Sequence, residues 1–351
     1  MSKLKIFLIS LLIIGVSAFS TCIFLYEYGL KAPSSKSEET LFIVKEGTSN
    51  QKIVENLSAE GLLRNKTAAS IYFKIHRSIT LKAGQYMLNK NMTAREIIQA
   101  MSEGKVSEDT VKITFVEGKR LTKYVDMINQ GFGYSNEDIL ATLSDPDYLN
   151  ELINKYWFLS ADILDEKIYY PLEGYLYPDT YQYYSSATIK EIIEKMLDNT
   201  DRKLTPYKEA IQNSGYTVHQ ILAIASIIEL EAVSAEDRAM VSQVIYSRLA
   251  ANMSLGMDVT TYYALQKDMK EELTFQDFAT VNAYNTREAN PSMAGKLPIG
   301  PICNPSIISL EAALNPSPTN YSYFFADVVT GKVYFANTYD EIQAIIKEIG
   351  W

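Results

Sequence analysis

The stretch "TVHQILAIASIIELEA", residues 217–232, decides how the rest of the chain is read. Thr217 followed three residues later by Gln220 is a capping box, so a helix opens here. Val218, Ile221, Leu222, Ile224, Ala225, Ile227 and Ile228 then occupy every face of it, which predicts a helix inside a core rather than one lying on it. A second box, Ser234 with Asp237, starts another helix, so the first ends near Ala232. Its last turn nevertheless carries Glu229 and Glu231. A carboxylate in apolar surroundings loses its hydration and must be paired, protonated or put to use. The apolar setting, the helix C-terminus and a neighbouring like charge all favour protonated Glu229, the form a general acid needs near neutral pH. The competing reading is an ion pair with Arg238 or Arg248. Two residues apart on a helix, Glu229 and Glu231 project to different faces and do not make a facing carboxylate pair.

Working outward, the periodicities describe an α+β chain. After a tip of residues 1–4, Lys3 and Lys5 flank "IFLISLLIIGVSAFSTCIFLY", an uncharged run long enough to cross a hydrocarbon core of roughly 30 Å. It is read as a transmembrane helix over 5–26 with its N-terminus cytoplasmic and the bulk of the chain outside. The alternative is a cleaved signal peptide ending at Ala18, but the apolar run is longer than a signal core needs. Residues 27–39, containing "KAPSSKSEE", form a linker. A small αβ module follows over 40–105, in the order β-α-α-β-α, closed by a helix boxed by Thr93 and Glu96 and stopped by Gly104. A larger mixed helical and β domain fills 106–351. It begins at the strand-like "TVKITFVEG", with helical patterns near 120–130, 135–144, 187–199 and 204–213. "VVTGKVYFA" reads as a hairpin turning at Thr330-Gly331.

Composition excludes several function classes. The 351 residues carry a formal net charge of −9, which argues against a nucleic-acid partner. The two histidines, His76 and His219, lie far apart, and no zinc spacing or glycine-rich phosphate loop occurs. Cys22 and Cys303 are the only cysteines, and one of them sits in the apolar run, so no disulfide is expected. "FSTC" lacks the small residue that precedes a lipidated cysteine. Cys303 reads as a small buried hydrophobe.

Two further clusters matter. "YYPLEGYLYPDTYQYY" (169–184) surrounds Glu173 and Asp179 with tyrosines, whose flat faces and hydroxyls suit stacking on sugars. In "AYNTREANPSMAGKLPIGPICNPSIISLEAALNP" (283–316), proline and glycine shape an irregular loop that leads into a helix, with Ser306 near its cap.

Taken together and in order, "LEGYLYPDTY", "IASIIELEA" followed by Arg238, "VIYSRL", "MDVTTYYAL", "AYNT", "LPIGPICNP", "SLEAALNP" and "YFFAD" resemble the membrane-anchored endolytic murein transglycosylases of the YceG-like family, over roughly residues 40 to 345. The 40–105 module resembles the LysM-like domain that precedes the catalytic domain there. The resemblance places the catalytic glutamate on Glu229. It assigns substrate contact to Glu231, Glu173, Tyr177, Asp179, Asp258, Thr260, Tyr263, Tyr284, Asn285 and Asn304. Four positions depart from the family pattern: Ser247 stands for Asn, Gly256 for Gln, Val259 for Pro and Ile299 for Pro. The activity implied is cleavage of peptidoglycan glycan strands between N-acetylmuramic acid and N-acetylglucosamine with 1,6-anhydro ends, without metal or cofactor. Partners implied are the glycan, the cytoplasmic membrane and peptidoglycan synthases. A hydrolytic muramidase or a non-catalytic wall-binding scaffold would be the alternatives.

Overall fold

The computed structural model describes residues 3–76, 79–104, 110–327 and 330–351. The chain is mostly helical with small two-stranded sheets, and it divides into two compact units, residues 1–110 and 111–351.

In the first unit, helix α1 (Lys3–Gly29) is the single N-terminal apolar helix; its stretch Leu12–Gly29 is apolar enough to cross a membrane, as an anchor or a signal sequence does. Strand β1 (Glu39–Val44) pairs antiparallel with β2 (Gly84–Asn89), and helices α2 (Asn50–Ala59), α3 (Lys66–Ile75) and α4 (Ala94–Glu103) complete the module. Alternation puts Phe42 and Val44 of β1 on the buried face, against Ile53, Val54 and Leu57 of α2 and Ile97, Ile98 and Met101 of α4. The Thr93–Glu96 capping box forms as the spacing requires, and Gly104 closes α4 in the left-handed conformation.

The expected linker is not free. α1 runs three residues beyond Tyr26, and Leu30 is buried in the module's core. A Cβ on Gly29 would stand 2.7 Å from Ala68 Cβ, so glycine lets α1 lie directly on α3. Arg64 Nε donates to the Ala32 carbonyl (2.9 Å), and the Ser34 amide to the Lys90 carbonyl (3.1 Å). The polar, Pro- and Ser-containing composition marked the segment as a linker, yet backbone groups along it still find partners. The expected boundary at 105/106 falls outside the described residues.

The second unit opens with β3 (Thr110–Thr114), followed by α5 (Leu121–Phe132), α6 (Asn136–Leu143) and α7 (Pro146–Lys155). Strand β4 (Thr180–Tyr184) pairs with β3 and leads to α8 (Ile189–Leu204) and α9 (Lys208–Asn213). Then come α10 (Val218–Glu231), α11 (Ala235–Ala250), α12 (Asp258–Ala264), α13 (Phe275–Phe278) and α14 (Ile307–Leu314). An antiparallel hairpin of β5 (Tyr323–Ala326) and β6 (Val333–Ala336) precedes α15 (Tyr339–Glu348). The hairpin turns at Thr330-Gly331, with Gly331 at φ +71° and its amide on the Asp327 carbonyl (2.7 Å). Its first strand is 323–326; Val328 and Val329 lie outside the described residues.

Helix α10 is the spine of this unit. His219 and Ile221 to Ile228 are all buried, as an apolar surface on every face demands, and α11 and α14 pack along it. The Tyr-rich stretch resolves into core and surface. Tyr175, Tyr181 and Tyr183 are interior, whereas Tyr169 and Tyr177 keep part of a face exposed. A local run of tyrosines could not reveal that β4 passes through the core.

Candidate active site

At the C-terminal end of α10 the two glutamates meet different surroundings. Glu229 is enclosed, its side chain only 6% exposed. Its Oε2 accepts from the Ser306 amide (2.9 Å), the Ser306 hydroxyl (2.5 Å) and the Ser309 hydroxyl (2.8 Å), and its Oε1 faces Arg238 Nη2 at 3.1 Å. Ser306 is the N-cap of α14, so the carboxylate sits where that helix presents unpaired amides and partial positive charge. Four donors from α11 and α14 therefore converge on the Glu229 carboxyl group, partners that α10 alone does not supply. The ion pair foreseen with Arg238 is present, and Arg238 is itself buried, with Nε on the Ala232 carbonyl (3.0 Å) and Nη1 on the Ser306 hydroxyl (2.8 Å). Glu229 thereby binds α10, α11 and α14 together.

Glu231 lies in the same turn, half-buried, and no hydrogen-bond donor reaches its carboxylate among the described residues. Burial, reinforced by the charge of Asp258, pushes its carboxyl up to about 8 against the pull of Arg248 and Arg287. Asp258, half-exposed at the start of α12, pairs with Arg287 Nη1 at 2.9 Å, and the same nitrogen reaches the Gly256 carbonyl at 3.2 Å.

Most other residues assigned to substrate contact are interior. Glu173 is 2% exposed; it accepts from the Leu121 amide at the start of α5 (2.8 Å), Tyr263 Oη (3.2 Å) and Asn304 Nδ2 (3.2 Å). Burial outweighs these donors and raises its carboxyl to about 8. Asn304 joins three segments: its Oδ1 accepts from the Gly174 (3.0 Å) and Leu176 (3.1 Å) amides, and its Nδ2 also donates to the Lys119 carbonyl (3.2 Å). Gly174, at φ +84°, is required where it stands, because a Cβ would fall 2.3 Å from Pro301 Cβ.

The "DVTTYY" and "AYNT" segments are laced to each other. Thr260 Oγ1 and Thr286 Oγ1 lie 2.9 Å apart, Thr261 Oγ1 donates to Asn285 Oδ1 (2.9 Å), and Tyr263 and Tyr284 rings pack at 4.7 Å. Thr260, Tyr263, Tyr284, Asn285, Asn304 and Glu173 have almost no exposed surface. Polar residues close together in a motif can satisfy one another, and here they do. Tyr177, Asp179 and Asp258 retain surface.

Sequence reading missed Ser309 and Arg287. Ser309 stands three residues after the Ser306 cap, and Arg287 follows "AYNT" directly, so spacing offered a signal for both. Among the departures, Gly256 has a local reason: at φ +65° a Cβ would stand 2.8 Å from Arg248 Nη1 and 3.0 Å from Glu288 Oε1. The Ile299 carbonyl receives His219 Nε2 (2.7 Å), and Ser247 Oγ receives Gln243 Nε2 (2.9 Å). Nothing in the structure explains Val259. Cys303 is fully buried and burial drives its thiol well up, in keeping with a packing role.

Comparison with known proteins places this arrangement. The chain is 33% identical over 322 residues to the endolytic murein transglycosylase of Bacillus subtilis, covering 91% of this chain and 87% of that protein. It is 31% identical over 363 residues to the endolytic murein transglycosylase of Streptococcus pneumoniae, covering 99% of this chain and spanning 66% of that longer protein. A crystal structure of a yceG-like protein from Listeria monocytogenes matches with a TM-score of 0.63 at 34% identity, covering 88% of this chain and all of that one. The model of the YceG-like family matches residues 42–348. With nearly the whole chain aligned and the motif residues interlocked in one unit, this chain belongs to the YceG-like family.

Proposed function

We propose that this chain is a lytic transglycosylase that cuts peptidoglycan glycan strands internally, with Glu231 in place of Glu229 as the proton donor. The observation that carries this reading is the contrast within one helical turn. Glu229 is held by four donors, while Glu231 is free of donors and has its carboxyl raised to about 8. Protonated Glu231 gives its proton to the oxygen leaving C1 of N-acetylmuramic acid. The carboxylate so formed takes the proton of the muramoyl C6 hydroxyl, whose oxygen closes on C1 and yields the 1,6-anhydro end. The nucleophile belongs to the substrate, so the second carboxylate of ordinary glycosidases is not needed. Tyr177, Asp179 and Asp258 face the glycan, and the interior residues of the motifs keep the cleft in shape. The first unit serves as a LysM-like module on a membrane anchor, holding the enzyme beside the strands that peptidoglycan synthases make.

A second reading, hydrolysis, is favoured by one feature: Asp258 is a half-exposed carboxylate close enough to influence Glu231. Mass spectrometry of digested glycan separates the two. Anhydro ends support the transglycosylase, new reducing ends the muramidase, and uncut glycan would leave only a binding protein. The rate should fall as pH rises through about 8, where Glu231 loses its proton.

A further inference from the structure

A cavity of about 1050 Å³ opens on the second unit at the far end of α10 from the two glutamates. From His219 in its wall to Glu231 the helix runs about 18 Å, at 1.5 Å per residue, so the cavity is not part of the acid's site. It is bounded by the turn at 161–165, the first turn of α10, the end of α11 and the loop 295–299.

Its lining combines two chemistries. Tyr216 and Tyr246, with ring centroids 5.4 Å apart, join Leu249 and Leu297 in an apolar surface, and Tyr246 is held by its hydroxyl on the Ala313 carbonyl (2.7 Å). Around it stand Asp162, Asp165 and Lys296, all exposed. Asp162 accepts only the Ser160 hydroxyl (2.9 Å) and Asp165 only the Lys167 amide (2.9 Å), while Lys296 Nζ donates to the Ser292 carbonyl (2.9 Å). None of the three has an ion-pair partner among the described residues. An apolar surface carrying two unpaired carboxylates and one unpaired ammonium complements a ligand with an amine, a carboxylate and an aliphatic stretch between them. A neutral sugar can hydrogen-bond these groups but supplies no opposite charge to pair with them.

We propose that this cavity binds the peptide stem of the glycan, a short peptide with a side-chain amine and a free carboxylate; this rests on the peptidoglycan reading above. The fold keeps cavity and acid in fixed relation. Residues 299–306 run alongside α10, tied at the Ile299 carbonyl to His219 (2.7 Å), at the Ile302 amide to Ser226 Oγ (3.0 Å) and at the Ser306 amide to Glu229 (2.9 Å). A stem seated in the cavity therefore sets which bond of its strand lies at Glu231.

The test uses the full-length protein in detergent and isothermal titration with the synthetic peptide L-Ala-γ-D-Glu-L-Lys-D-Ala. Wild type and Glu231→Gln should bind it alike. The double variant Asp162→Asn, Asp165→Asn and the variant Lys296→Met should each bind about tenfold more weakly, the size of one charge-assisted hydrogen bond. On peptide-bearing strands the double variant should show a raised KM at unchanged kcat, and on strands stripped of peptide it should match wild type. Peptide binding that is absent, that is indifferent to these substitutions, or that is displaced by chitotetraose would overturn the proposal. Binding is read without turnover, so the two readings fail separately. Protein that yields anhydro ends yet ignores the peptide refutes the stem site, and protein that binds peptide with this variant pattern but cuts nothing refutes the catalytic reading.

Discussion

Glu229 and Glu231 are separated by a single residue, and their chemistry is set by what other elements bring to them. Glu231→Gln removes a poorly solvated carboxyl, so thermal stability should hold or rise while anhydro-product formation falls by about 10²–10⁴, the usual worth of a general acid. Glu229→Gln leaves Arg238 buried beside a neutral amide. Losing one partner of a buried ion pair costs about 3–5 kcal/mol, so the melting temperature should drop and activity should follow the folded fraction. A Glu229→Gln protein as stable as wild type yet inactive would return the acid to Glu229. Glu173 permits a separate test by pH. Its carboxyl is raised from 4.5 to about 8, so between those values the folded protein keeps a proton that the unfolded chain has released. Stability therefore declines as pH rises from about 4.5 to about 8 and levels off above, and Glu231 adds a slope of the same sign. Urea unfolding at pH 5 and pH 8 should show the decline, and Glu173→Gln should flatten it. Equal wild-type stability at both values would mean that Glu173 is ionised in the fold.

Elements meet at this site through loops that leave no spare room. The turn after Glu173 crosses the 301–304 segment so closely that only glycine fits at 174, and the Gly174 amide feeds Asn304. Gly174→Ala combines a left-handed backbone with a collision against Pro301, which calls for a loss of at least about 1–3 kcal/mol. Its melting temperature and its activity should fall together. An alanine variant with wild-type stability would show that the two loops can part without consequence, and would weaken the framing role given to Glu173 and Asn304.

The whole molecule is built on two separate cores. One is centred on Ile53, Leu57, Tyr86 and Ile97, the other on α10 and the helices around it. A fragment starting at Ser107 should therefore fold and keep cutting glycan at high enzyme concentration, losing efficiency through the missing module and anchor. Circular dichroism together with product analysis checks this; a folded but wholly inactive fragment would mean that the first unit takes part in the chemistry.

Sequence by itself determined the elements with strong local signals. The caps at Thr93, Thr217, Ser234 and Ser306 and the buried character of α10 are readable because capping needs a side chain at a set spacing and burial needs apolar residues on every face. The run of linked motifs likewise pointed to the family. Tertiary structure alone decided which glutamate is free. The donors that hold Glu229 come from Arg238 and from Ser306 and Ser309, 9 to 80 positions away, and the charges that act on Glu231 come from Asp258, Arg248 and Arg287. Helical periodicity places two carboxylates on one turn but carries no information about the neighbouring elements. The same limit hid the interior placement of Tyr181, Tyr263 and Asn285, since a polar motif reads alike whether its groups meet solvent, a ligand or one another. Solvation and partner geometry, which set the protonation of a carboxyl, exist only once the chain has closed around it.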